Sequence, residues 1–218
     1  HVSKCFIKPK HEPTESQQPY NLAPMDLAML SLQYIQQGLM FVKPSSTNHD
    51  FTINHFLDTL KDSLSDTLVH FYPLAGQLVT QTDELQHQSV VFVDCAKGPG
   101  AKFVHATLDL TISAILSPNN DIPSIVHSFF DHNNSVNHHG HTEPLLSVQV
   151  TELIDRVFIG CCANHSIQDG TSYWNFWNLW SEIHNSKEAT LLPVHNRWFP
   201  DGYGPVITFP YTHPNEFI

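Results

Sequence analysis

The sequence predicts an α/β chain of the α+β kind, two layers with a mixed sheet flanked by helices. Three observations carry that expectation: a helical apolar period over residues 51–68, a second over 173–183, and short runs rich in β-branched and aromatic residues between them. The 218 residues, 41% of them hydrophobic, are enough for one sizeable core.

In chain order, Pro24 and Asp26 fall in the first turn of a short helix, where proline's missing donor does no harm and an acid complements the helix dipole. Residues 31–44 read as helix or strand, with the second half favouring strand. Ile53, Phe56, Leu57, Leu60, Leu64 and Leu68 then recur at three- and four-residue steps, which predicts an amphipathic helix. Pro73 and Gly76 mark a turn into a strand. Residues 89–95 and 101–108 read as strands separated by a turn at 96–100. A short helix is expected near 122–131, and the polar, His-rich stretch from Phe130 to His141 is expected to be a surface loop. Two strands follow at 145–153 and 156–164, with Ile154 and Asp155 near their hairpin turn. Tyr173, Phe176, Trp177, Trp180 and Ile183 share one helical face. From Leu191 onward Pro193, Pro200, Pro205, Pro210 and Pro214 interrupt a stretch without helical period, as in a connector. The expected division is therefore a domain over 1–190 and the start of a connector over 191–218.

Ten Lys plus Arg stand against 21 Asp plus Glu, a formal net charge of −11, and the cations are scattered. Long-range attraction to nucleic acid or to an anionic membrane surface is not expected. No run of 18 apolar residues and no charged-then-apolar leader is present. Cys5, Cys95, Cys161 and Cys162 fit neither a disulfide framework nor a paired metal motif, so four reduced thiols in a cytoplasmic protein are expected. The cluster His138, His139 and His141 lacks the spaced ligand set of a metal site, and no metal is expected. Cys161 and Cys162 alternate faces of a strand, so at least one belongs to the core, and neither has an activating neighbour in sequence.

The stretch that carries chemistry is residues 164–170, Asn-His-Ser-Ile-Gln-Asp-Gly, directly between the last strong strand and the following helix. Two readings are open on pattern alone. His165 is a satisfied core histidine and Asp169 the N-cap of the helix, or the corner presents His165 to a substrate. Gly170, by allowing close backbone approach or positive φ, and the habit of placing reactive groups at such corners both favour the second. A neutral imidazole is a natural general base for a hydroxyl or amine, and a sharp turn frees Asp169 from facing it.

That stretch resembles the HxxxDG signature of the plant BAHD acyltransferases, the acyl-CoA-dependent family. Residues 22–26, Leu-Ala-Pro-Met-Asp, are similar to that family's Leu-Ser-x-x-Asp, and residues 72–78, Tyr-Pro-Leu-Ala-Gly-Gln-Leu, to its Tyr-Pro-Leu-Ala-Gly-Arg-Leu. Residues 149–183 are similar to its core strands and helix, and 196–218 to the connector of a largely uncharacterised branch. Ala23 and Gln77 depart from the usual Ser and Arg, which bears on local packing.

The resemblance implies one half of a two-domain enzyme built from chloramphenicol-acetyltransferase-like domains. It implies His165 as general base, Asp169 as a structural residue pairing with a basic group of the other half, and Gly170 as the residue that keeps the corner tight. On that account Asp169→Asn should cost stability along with activity. Acyl-CoA would be the co-substrate, with no permanently bound cofactor, and a small-molecule hydroxyl or amine the acceptor. Tyr34, Phe41, Trp174 and Trp177 are candidates for the acceptor pocket, with core packing the competing reading of each. The family's Asp-Phe-Gly-Trp-Gly signature does not occur in these residues, so the C-terminal half is expected as a separate chain. A lyase that cleaves a small-molecule conjugate, or a non-catalytic binding homologue, are the alternatives.

Overall fold

A computed structural model describes residues 3–44, 51–83, 85–116 and 123–208. Along the chain run β1 (Ser3–Ile7), β2 (Tyr20–Asn21), α1 (Pro24–Ala28), β3 (Ile35–Val42), α2 (Ile53–His70), β4 (Gln77–Asp83), β5 (Gln88–Asp94), β6 (Ala101–Thr107), α3 (Ile112–Leu116), β7 (Leu146–Glu152), β8 (Arg156–Ala163), α4 (Gly170–His184) and β9 (Val206–Thr208). The main sheet has the order β1-β6-β7-β8-β3. Only β6 and β7 pair in parallel within it; the other neighbours are antiparallel, so the sheet is mixed. In the second sheet β5 is flanked by β4 on one side, with β2 and β9 sharing its other edge.

The apolar periods become helices as their spacing requires. Thr52 Oγ1 accepts the His55 N–H at 3.3 Å and starts α2, whose Leu57, Leu60, Leu64 and Leu68 are buried. Tyr173, Phe176, Trp177 and Trp180 of α4 are buried in the same core with Val148, Val150, Ile159 and Cys161 of the sheet. The two helices meet where Trp180 Nε1 donates to Ser63 Oγ at 3.0 Å, which satisfies the indole inside an apolar contact. The segment 146–152 is almost wholly buried on both faces, as suits a strand paired on both edges.

Two features were not anticipated. Strands β5 and β6, adjacent in sequence, lie in different sheets. The connection between them turns at Gly100, whose φ of +92° suits glycine and whose N–H donates to Ala75 O at 3.0 Å. The His-rich stretch after Phe130 is also not the surface loop its composition suggested. His132 is 4% exposed and Asn137 fully buried, and residues 137–141 form a 3-10 turn. The segment enters the interior because its polar groups find partners there: Asn137 N–H donates to Leu32 O at 2.7 Å and His138 N–H to Leu30 O at 2.8 Å.

The segment after α4 folds back onto the body as far as it is described. His195 Nε2 donates to His70 O at 2.7 Å, and its ring stands edge-on to Tyr72 at 4.8 Å. Arg197 lies over the Tyr20 ring at 4.4 Å, with Nη2 3.3 Å from Asp26 Oδ2. The strand β9 then adds to β5. Pro210 and Pro214, with the rest of 209–218, lie outside the described residues.

Burial holds both the His195 and the His132 imidazoles below the ordinary value of 6.5, because the charged form loses hydration there. The unfolded chain then takes up protons first as pH falls. The stability from these two sites is complete above about pH 6.5 and is lost below it. The thermal midpoint is expected to drop as pH falls below about 6.5, and His195→Phe to reduce part of that drop. An unchanged slope in that variant would remove His195 from the effect.

Candidate active site

The chain leaves β8 at Ala163 and enters α4 at Gly170, so residues 164–169 must reverse direction in one compact corner. Asn164 organises it. Its backbone O accepts the N–H groups of Ile167 at 3.0 Å and Gln168 at 3.2 Å. Its side-chain Oδ1 accepts Ser166 N–H at 3.1 Å and the Ser166 hydroxyl, and its Nδ2 donates to Asn137 O at 2.7 Å. Asn164 and Ser166 are fully buried and Gln168 is 3% exposed. Much of this polar sequence is buried by bonding to itself, although Gln168 Oε1 and His165 Nδ1 are buried without a hydrogen-bond partner among the described residues.

His165 is half-buried at this corner. Its backbone N–H donates to Asn137 Oδ1 at 2.7 Å. Ring atom Nδ1 is buried and has no hydrogen-bond partner among the described residues.

Asp169 is exposed and is the N-cap of α4. Oδ1 accepts Ser172 N–H at 2.7 Å, while the Ser172 hydroxyl accepts Asp169 N–H at 3.0 Å, a reciprocal capping box. The Ser172 backbone N–H, and then its hydroxyl, hold the Asp169 carboxyl below its usual range. The ion pairs among the described residues do not include Asp169. Asparagine caps a helix as well as aspartate does, so the described corner alone supplies no cost for Asp169→Asn, and the loss expected above would come from the pairing with the other half. Through the cap alone, Asp169→Ala is expected to cost about 1 kcal/mol and Asp169→Asn close to nothing. Urea unfolding of the two variants checks this; equal losses in both would mean that the charge, and not the cap, holds the corner.

Gly170 is also differently employed than its position suggested. Its φ is not positive, and a Cβ placed there meets nothing within 4 Å. As the first residue of a helix it adopts ordinary helical backbone, and it leaves open space beside Asp169. Close approach is instead demanded of Gly140, where a Cβ would stand 2.6 Å from Leu145 Cδ2 and 2.8 Å from Asn164 Nδ2.

The pocket candidates are dispersed. Tyr34 is 4% exposed, its hydroxyl donates to Pro144 O at 3.2 Å, and its ring lies 5.3 Å from that of His132. Phe41 is 45% exposed on the edge strand β3, opposite Val157. Ile35 of the same strand pairs with Ala163, so Phe41 stands about 20 Å from the His165 end at strand rise. Trp174 is exposed on the first turns of α4, whereas Trp177 is buried in the core against Trp180. Cys161 and Cys162 are both buried; burial pushes the Cys162 thiol up to about 12 and raises Cys161 further, so both stay protonated. No group of three or more His, Cys, Asp or Glu among the described residues is placed to hold a metal ion.

Asn137 is the residue the sequence did not disclose. It lies 28 positions before His165, in a stretch whose composition suggested solvent, and no periodic signal links the two.

The site is thus a histidine at a strand–helix corner of a mixed sheet with helices packed on it. Residues 1–212 match the model of the Transferase family. The chain is 36% identical over 195 residues to an uncharacterized acetyltransferase of Arabidopsis thaliana, covering 88% of this chain and 42% of the relative. It is 31% identical over 186 residues to the Arabidopsis thaliana BAHD acyltransferase DCR, covering 84% and 37%. Among solved structures, vinorine synthase superposes with a TM-score of 0.69 at 23% identity, over 89% of this chain and 45% of that one. The chain belongs to the BAHD acyltransferase family. It spans less than half the length of these relatives.

Proposed function

We propose that the protein carrying these residues transfers an acyl group from acyl-CoA to a hydroxyl or amine of a plant small molecule, with His165 as the general base. The observation that supports this most is the state of His165: its backbone is clamped by Asn137 and its Nδ1 is buried without a hydrogen-bond partner among the described residues. In this reading Nε2 takes the acceptor's proton as its oxygen or nitrogen attacks the thioester carbonyl carbon. The tetrahedral oxyanion collapses, the carbon–sulfur bond breaks, and the departing thiolate of CoA takes the proton from the imidazolium. No cofactor is consumed, and acyl-CoA is a co-substrate.

The other wall of the site, the oxyanion donors and the basic groups for the CoA phosphates belong in this proposal to the portion that corresponds to the relatives' second half. Intact mass of the purified protein distinguishes a continuation of the same chain from a separate polypeptide. Asp169, exposed and outside the ion pairs described above, is the residue proposed to pair with a cation there. We place the reaction in the cytoplasm, consistent with four unpaired cysteines; among the described residues no helix is long and apolar enough to cross a membrane.

The test is incubation with a panel of acyl-CoAs and alcohol or amine acceptors, following free thiol and product mass. Thiol release matched by an acylated acceptor is the expected result. Cleavage of a conjugate without thiol release would make the protein a lyase, and binding without turnover would make it a non-catalytic homologue.

A further inference from the structure

We infer that Asn137 is a positioning residue for His165, a role that rests on His165 acting as the base. Asn137 is fully buried and all of its polar atoms are engaged in two directions. Toward the start of the chain, Nδ2 donates to Met29 O at 2.8 Å and to Gln33 O at 3.4 Å. Toward the corner, Oδ1 accepts His165 N–H at 2.7 Å, and the backbone O accepts Asn164 Nδ2 at 2.7 Å.

One side chain therefore fixes the backbone of His165 relative to the segment that leads into Tyr34 and β3. The imidazole Nδ1 has no hydrogen-bond partner within the described residues, so the place of the ring depends on its backbone and on the packing around it. The backbone bond to Asn137 is the tether a reacting geometry would depend on.

The fit is specific to an amide. Oδ1 must accept while Nδ2 donates to two carbonyls, and the segment approaches Asn164 only because residue 140 has no Cβ. A hydrophobic residue at 137 would leave the His165 N–H and two carbonyls short of partners in the interior.

The experiment uses the full-length protein and the acyl-CoA and acceptor pair with the highest turnover in the panel. Asn137→Ala is expected to lower kcat about 100-fold, the size of a misplacement of about 1 Å, with KM for the acyl-CoA held. Asn137→Asp retains the acceptor for His165 N–H; facing two carbonyls, its carboxyl takes up a proton and donates in place of the amide. It should recover most of the loss. Gln77→Ala serves as the control, since Gln77 Nε2 ties the same segment through His141 O at 2.8 Å without touching His165. It should lower the thermal midpoint and leave kcat alone.

In the wild-type protein, the His165 amide should exchange as slowly as core strand amides. Free exchange of that amide, wild-type kcat in Asn137→Ala, or equal kcat losses in the Ala and Asp variants would overturn the inference. If His165→Ala itself keeps its turnover, the proposed reaction fails instead, and the exchange measurement still reports whether Asn137 holds the corner.

Discussion

Replacing Phe176 by alanine is expected to destabilise the protein by about 3–5 kcal/mol, the cost of truncating a fully buried aromatic ring. Phe176 has no exposed surface, stands edge-on to Phe71 at 5.4 Å and lies 5.9 Å from the Trp180 ring. Phe71 is the C-cap of α2, so Phe176 joins the end of one helix to the middle of the other. The space it vacates is walled by rings held from two elements and by sheet residues beneath, and such a wall collapses poorly. Trp174, two residues earlier but 43% exposed, supplies the contrast: its truncation should stay within about 0.5 kcal/mol. Urea midpoints measure both. A small loss for Phe176→Ala would mean that α4 does not rest on the sheet as described.

The position of Phe176 was legible because helical packing writes a local period into the sequence. The same holds for Leu57, Leu60, Leu64 and Leu68 of α2, and for the strand–turn–strand of β7 and β8. What could not be read locally is which distant segments meet. The pairing of β6 with β7, separated by nearly forty residues, leaves no mark on either strand beyond its apolar character. The return of His195 and Arg197 to Tyr20, Tyr72 and Asp26 likewise depends on single polar residues at long range. Composition misled most after Phe130. Polar residues there signalled solvent, yet Asn137 is buried because every donor and acceptor it brings is matched.

The corner itself was legible as two competing readings, and for Asp169 the capping reading is the one realised. Its carboxylate is hydrogen-bonded by Ser172. A cap is compatible with a reacting histidine, because the cap fixes where α4 begins and therefore where the loop carrying His165 must end. Gly170 illustrates the opposite case. Its place in the motif suggested a tight backbone, and the structure shows an open side instead.

His165→Ala is expected to lower turnover by roughly 10²- to 10⁴-fold, the usual contribution of a positioned general base. The fold should survive the change, for a reason visible at the corner. The bond that holds this residue runs from its backbone N–H to Asn137 Oδ1, and alanine keeps it. The imidazole Nδ1 has no partner to lose among the described residues, and the half-buried ring contributes less to the core than a buried apolar side chain. Activity and stability should therefore separate: kcat falls while the urea midpoint stays near that of the wild type. Phe176→Ala should do the reverse, weakening the fold while the folded fraction still turns over. Steady-state turnover per folded protein, with acyl-CoA and acceptor both saturating, distinguishes the two. Near-wild-type kcat in a folded His165→Ala protein would remove His165 from the chemistry.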